Sequence, residues 1–167
     1  MKNLLKKMAL LSLAMLVFGC SKDGATGAQG ATGNANVQSV TVDVIASQWS
    51  YASNINQWGF GISAPLITTS ILNSGLVHVY MTTDSTITSN STLYSLPFNL
   101  NGVNYSYNLS GNFIYFTIGS SNNTNLSNVT LPTKLKYRYV VAPSSAGKMN
   151  INWKNYEEVK FKLNLKD

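Results

Sequence analysis

From residue 37 onward, apolar and polar positions alternate in short runs. In Val37-Gln38-Ser39-Val40-Thr41-Val42-Asp43-Val44, the residues Val40, Val42 and Val44 share one face and Thr41 and Asp43 the other. This period of two is that of a strand with one wet face. Trp58, Phe60 and Ile62 alternate with Gly59, Gly61 and Ser63 in a second strand, whose glycines leave room for close approach. Pro65 breaks it, and Leu66 to Leu72 reads as a short helix or turn closed by Asn73-Ser74-Gly75. Leu76 to Met81 is a strongly apolar run, as expected of a central strand. Further strands are expected at Thr92–Phe98, Tyr105–Leu109, Asn112–Gly119 and Lys134–Ala142, separated by the hairpin signals Asn101-Gly102 and Ser110-Gly111-Asn112. The end of the chain is ambiguous. Asn155 can cap a helix with Glu157 and Glu158 in its first turn, yet Val159, Phe161 and Leu163 alternate like a strand. A short helical turn running into a brief strand is the expectation. Seven or more short strands at this spacing predict an all-β fold, an antiparallel β-sandwich over residues 37–167.

The first 36 residues follow a different pattern. Lys2, Lys6 and Lys7 precede an apolar run from Met8 to Phe18, then come Gly19 and Cys20. The run is shorter than the ~20 apolar residues needed to span a bilayer. It fits the core of a signal peptide over residues 1–19. Leu16-Val17-Phe18-Gly19-Cys20 resembles a lipobox, with an aliphatic residue three before the cysteine and a small one just before it. That resemblance implies cleavage between Gly19 and Cys20, with lipid (diacylglycerol and an acyl chain such as palmitate) on Cys20. Such a count of chains suffices for stable anchoring. The competing reading is an ordinary secretory signal followed by an incidental cysteine. Cys20 is the sole cysteine, so once lipidated the chain has no thiol for a disulfide.

Residues 20–36 form a tether. Glycine recurs at Gly24, Gly27, Gly30 and Gly33, the Gly-X-Y spacing of collagen. Two readings follow: a homotrimerising stalk, or a flexible linker of small residues. With no proline to hold the extended conformation, the linker is the expectation. Extended, it reaches roughly 50 Å.

Processing changes the charge. The whole chain carries +6, and removal of three lysines with residues 1–19 leaves +3. What remains is uneven. Between Gly24 and Thr133 there is no Lys or Arg, and only Asp43 and Asp84 are acidic. From Lys134 to Asp167 eight basic residues face three acids. This is either a basic face for anionic lipid or polysaccharide, or a set of solvated lysines on outward positions; the second is the simpler expectation. A protein outside the cytoplasm is not expected to meet nucleic acid.

Catalytic chemistry is sparse. His78 is the only histidine and sits in the apolar run Val77-His78-Val79-Tyr80. A packed histidine is the expected reading. No metal or other cofactor is expected, since one histidine and a lipidated cysteine do not make a zinc or copper ligand set. There is no nucleophile elbow or phosphate loop, and the chain reads as non-enzymatic. Three aromatic pairs put two rings on one face of an extended segment: Trp49 with Tyr51, Tyr105 with Tyr107, and Tyr137 with Tyr139. Exposed, such pairs stack on sugars; buried, they are core. Trp49 and Tyr51, among polar neighbours near a strand end, are the candidate binding pair.

Signal, glycine tract and domain together resemble the small collagen-like lipoproteins of Bacteroidota. The resemblance rests on the lipobox and Gly-X-Y triplets, then Trp49, Gly75 to Tyr80, Tyr137-Arg138-Tyr139-Val140-Val141 and Asn155 to Lys160. It implies a bacterial cell-envelope protein, lipid-anchored in the outer membrane. It implies no particular activity. Asp84-Ser85-Thr86 likewise resembles an O-glycosylation acceptor of that phylum, with Ser85 as the modified residue. Two functions are therefore expected to compete: a structural or interaction module of adhesin type that meets a surface protein, and a glycan-binding module that holds polysaccharide.

Overall fold

The computed structural model describes residues 36–88, 90–147 and 149–166. Gly19, Cys20 and the glycine tract lie outside the described residues. The domain is an all-β sandwich of two antiparallel sheets. Its strands are β1 (Gln38–Ile45), β2 (Ser50–Ala52), β3 (Gln57–Ser63), β4 (Leu76–Thr82), β5 (Tyr94–Ser95), β6 (Phe98–Leu100), β7 (Val103–Ser110), β8 (Phe113–Ser120) and β9 (Lys134–Ala142). Helices α1 (Thr69–Ser74), α2 (Ser144–Gly147) and α3 (Tyr156–Leu163) complete it. One sheet runs β1-β9-β4-β5 and the other β2-β3-β8-β7-β6.

The core forms where the alternating apolar faces meet. Val44 of β1, Val79 and Met81 of β4 and Leu135, Tyr137 and Tyr139 of β9 pack against Ile114, Phe116 and Ile118 of β8. Phe116 and Tyr137 stack across the two sheets with ring centroids 4.0 Å apart. Tyr107 ties the sheets by a polar contact, its hydroxyl donating to the Val77 carbonyl at 3.2 Å. At the Asn101-Gly102 hairpin both residues have positive φ, 51° and 82°, as a two-residue primed turn requires.

Three expectations change. Trp49 is only 6 % exposed and lies in the core, with its ring centroid 6.1 Å from Phe60 and 6.4 Å from Tyr137. The 3-10 turn Ala46–Gln48 carries the chain from one sheet to the other and swings this indole inward. The expected strand Thr92–Phe98 is instead two short pieces, β5 and β6, in different sheets. Pro97 accounts for the break: it lacks an N–H for the ladder and sits between them. Lastly, residues 156–163 are helical throughout, with no terminal strand. The Asn155 side chain accepts from the N–H groups of Glu157 and Glu158, and Asn164 closes the helix in the left-handed region. Tyr156, Val159 and Leu163 share the buried helical face, whereas Phe161 is 86 % exposed. The apparent alternation was thus a helical stripe crossed by one outward ring.

Helix α3 covers the outer face of the four-stranded sheet. Tyr156, Val159 and Leu163 pack on Tyr80 and Val140 as a second apolar cluster. The Tyr80 hydroxyl donates to the Trp153 carbonyl at 2.7 Å. Buried Arg138 donates from Nε to the Thr41 hydroxyl at 2.8 Å and from its guanidinium to the Tyr156 hydroxyl. His78 lies beneath the same C-terminal segment, 4.8 Å from the Tyr80 ring and 6.1 Å from Trp153.

Candidate functional site

With α3 on one broad face, the other is the outer face of the five-stranded sheet. Its composition follows from register. Trp58, Phe60 and Ile62 point inward, so Gly59, Gly61 and Ser63 point out. On β8 the buried set Ile114, Phe116 and Ile118 leaves Phe113, Tyr115 and Thr117 outward. On β7, opposite them, stand Ser110, Asn108 and Ser106. None of the outward positions of these five strands carries an ionisable acid, base or histidine.

Two rings stand on this uncharged face. Phe113 is 43 % and Tyr115 46 % exposed, and their planes lie within 24° of each other at a centroid separation of 6.1 Å. Glycine makes the geometry. A Cβ on Gly61, which pairs with Tyr115 across the sheet, would stand 3.0 Å from ring atoms Cδ1 and Cε1. The ring therefore lies over bare backbone. Gly59, next along the same face, would have open space around a Cβ. Polar amides and hydroxyls border the rings: Asn108 opposite Tyr115, Ser110 opposite Phe113 and Ser106 opposite Thr117.

The residues singled out from sequence fall elsewhere. Trp49 is internal and offers no stacking surface; its Nε1 is buried with no hydrogen-bond partner among the described residues. Tyr51 is half-buried at the sheet edge, 5.1 Å from Trp58, and its hydroxyl donates to Asn56 at 2.9 Å. Tyr105 and Tyr107 pack against the core and Tyr137 and Tyr139 belong to it. Ser85 is exposed in the bend after β4. Phe113 and Tyr115 are not among the pairs read from sequence, all of which are made of Trp and Tyr alone. The available signal was a strand already saturated inward by Ile114, Phe116 and Ile118, which left its other rings nowhere to go but out.

In the basic C-terminal segment from Lys134 onward several lysines form local pairs, Lys162 with Glu158 at 3.0 Å among them. Lys134 meets Asp43 at 3.1 Å, and Lys136 bonds the same carboxylate. The hydrogen bond from Lys136 is the main force holding the Asp43 carboxyl below its usual range. A cleft of about 660 Å³ opens beside them, lined by Thr41, Lys136, Arg138 and Lys166 among others. Among the described residues no group of three His, Cys, Asp or Glu side chains could hold a metal ion.

His78 carries a pH dependence. Its Nε2 lies 2.7 Å from the Ser95 hydroxyl, and burial lowers its pKa from 6.5 to about 4. The unfolded chain therefore binds more protons between those values. Stability is full above pH 6.5 and falls as pH drops toward 4. A loss on the order of 2 kcal/mol is expected by the end of that window, allowing for the part of the ring that water reaches. Denaturant melts across the window check it. His78→Gln should flatten the slope there and leave untouched the Asp43 contribution, which is lost at lower pH.

Comparison with known proteins finds no match. No family model fits the chain, and neither the curated proteins nor the solved structures contain a match to it. The reading of function rests on the surface just described and on the N-terminal sequence.

Proposed function

We propose that this chain is a lipid-anchored, non-enzymatic interaction module of the bacterial cell envelope, presenting the outer face of its five-stranded sheet on a short glycine-spaced tether. One observation carries the reading: an uncharged sheet face bearing two neighbouring exposed rings, Phe113 and Tyr115, whose planes lie within 24° of each other. Monomeric proteins seldom leave such rings together in water without a use for them. Placement in the envelope is supported by the basic start, the short apolar run and Gly19-Cys20. The resemblance to collagen-like lipoproteins supports the outer membrane.

The two halves are tested together. Cys20→Ala should abolish metabolic labelling with palmitate, and the chain, then held to envelopes only through its sheet face, should come off on washing; a variant that still takes up palmitate overturns the anchor. The released chain should then rebind washed cell envelopes. Adding Phe113→Ala and Tyr115→Ala should abolish rebinding, and undiminished rebinding overturns the assignment of the surface.

A further inference from the structure

We infer that the occupant of the Phe113–Tyr115 face is a neutral polysaccharide that stacks on the exposed rings. The inference rests on the interaction reading above and names its ligand class. Three features converge on it.

The first is charge. A polyanion such as a uronate or sulfated glycan would look for lysine or arginine, and none stands on an outward position of β2, β3, β6, β7 or β8. The basic residues of β9 belong to the opposite sheet. A face with no group charged at neutral pH imposes no desolvation cost of buried charge on an uncharged ligand.

Ring geometry is the second. An aromatic face is electron-rich. The C–H face of a pyranose is slightly electropositive and flat, so the two stack. Phe113 and Tyr115 sit two residues apart on one strand, their planes within 24° and their centroids 6.1 Å apart. That separation is close to the length of one sugar unit, so successive units of one chain can each cover a ring. Gly61 lets the Tyr115 ring come closer to the sheet than a side chain there would allow, since a Cβ would stand 3.0 Å from it, and this close approach fixes where the ring stands.

The third is the border. A stacked sugar turns its hydroxyls sideways. Asn108, Ser110 and Ser106 on β7 and Ser63 on β3 stand beside the rings at positions where an amide or hydroxyl meets an equatorial hydroxyl. A protein partner would be expected to bury a wider apolar core than two rings framed by Ser, Asn and Gly. A second copy of this chain would meet the same shortage of apolar area.

The test uses the full-length lipidated chain in detergent, applied to insoluble or gel-embedded polysaccharides. Neutral probes are amorphous cellulose, β-1,3-glucan, xylan and mannan; anionic probes are polygalacturonate and heparin. The expected result is retardation by at least one neutral polysaccharide that persists at raised salt. Phe113→Ala and Tyr115→Ala should each weaken it by about tenfold or more, the scale of losing one stacking platform. Tyr94→Ala, altering an exposed ring at the sandwich edge, should leave it unchanged. Gly61→Val, which forces the Tyr115 ring off the sheet, should weaken it without removing either ring. No retardation by any neutral probe overturns the inference. So does retardation by polyanions alone that salt abolishes, or a Tyr115-dependent change in particle mass showing that a second copy covers the face. Loss of envelope rebinding in the ring variants alongside any of these results would leave the interaction module standing and remove only its sugar ligand.

Discussion

Phe116→Ala is expected to cost about 3–5 kcal/mol of folding stability, the range for emptying an aromatic site in a packed core. Phe116 is fully buried and stacks on Tyr137 across the sandwich at 4.0 Å. Removing it opens a cavity between the two sheets and withdraws the Tyr137 ring's main partner. Against a total of about 5–15 kcal/mol for an ordinary domain, this leaves a protein close to its threshold. Tyr115→Ala, one residue earlier and pointing the other way, should cost ~1 kcal/mol or less, as exposed substitutions do. Urea melts read both. The pair forms a control for the binding experiments: one variant loses stability with its surface intact, the other loses the surface with stability intact. Equal destabilisation by the two would mean that β8 does not divide its side chains between core and face as described.

The second large effect concerns α3. A chain ending at Lys154 lacks Tyr156, Val159 and Leu163, which are buried against Tyr80 and Val140. At roughly 2 kcal/mol for each side chain returned to water, the loss is on the order of 5 kcal/mol. Arg138 loses the Tyr156 hydroxyl as one of its partners while still deep in the sheet. The expected outcome is a protein that binds apolar dyes and unfolds at much lower denaturant. Phe161→Ser, on the outward side of the same helix, should change neither property. A truncated chain with an unchanged melt would show that α3 is an accessory and the outer apolar cluster carries no stability.

Much of the sandwich was legible because its strands have one wet face. Val40, Val42 and Val44 alternate with polar residues, and the structure places them against the core. The hairpin at Asn101-Gly102 was legible for a local reason, since few other residue pairs accept positive φ at both positions. What failed depended on distant partners. Val159, Phe161 and Leu163 satisfy a strand period as readily as a helical one, and only the sheet face beneath α3 decides between them. Trp49 looked exposed among Gln48, Ser50 and Ser53, because nothing local reveals that the 3-10 turn aims it between the sheets. Its buried indole N–H costs about 1–3 kcal/mol, a penalty tolerable only where the ring itself buries so much apolar surface. Phe113 and Tyr115 were readable as outward from their parity on β8, whereas the pairing of Tyr115 with Gly61 across the sheet depends on a register that no local pattern reveals.

The covering of one sheet by α3 also sets valency. A two-sided sandwich could bridge two ligands, but here α3 occupies much of the second broad side, and the proposed platform of Phe113 and Tyr115 stands on the first alone. If the proposed sugar ligand and lipid anchor hold, a long repetitive polymer would be gripped by many such chains at once. Its residence time then depends less on the strength of one contact than on how densely the chains are planted, since each further attachment becomes an intramolecular event at high effective concentration. Single-sided contact of this kind would let such a polymer slide and re-seat while other chains still hold it.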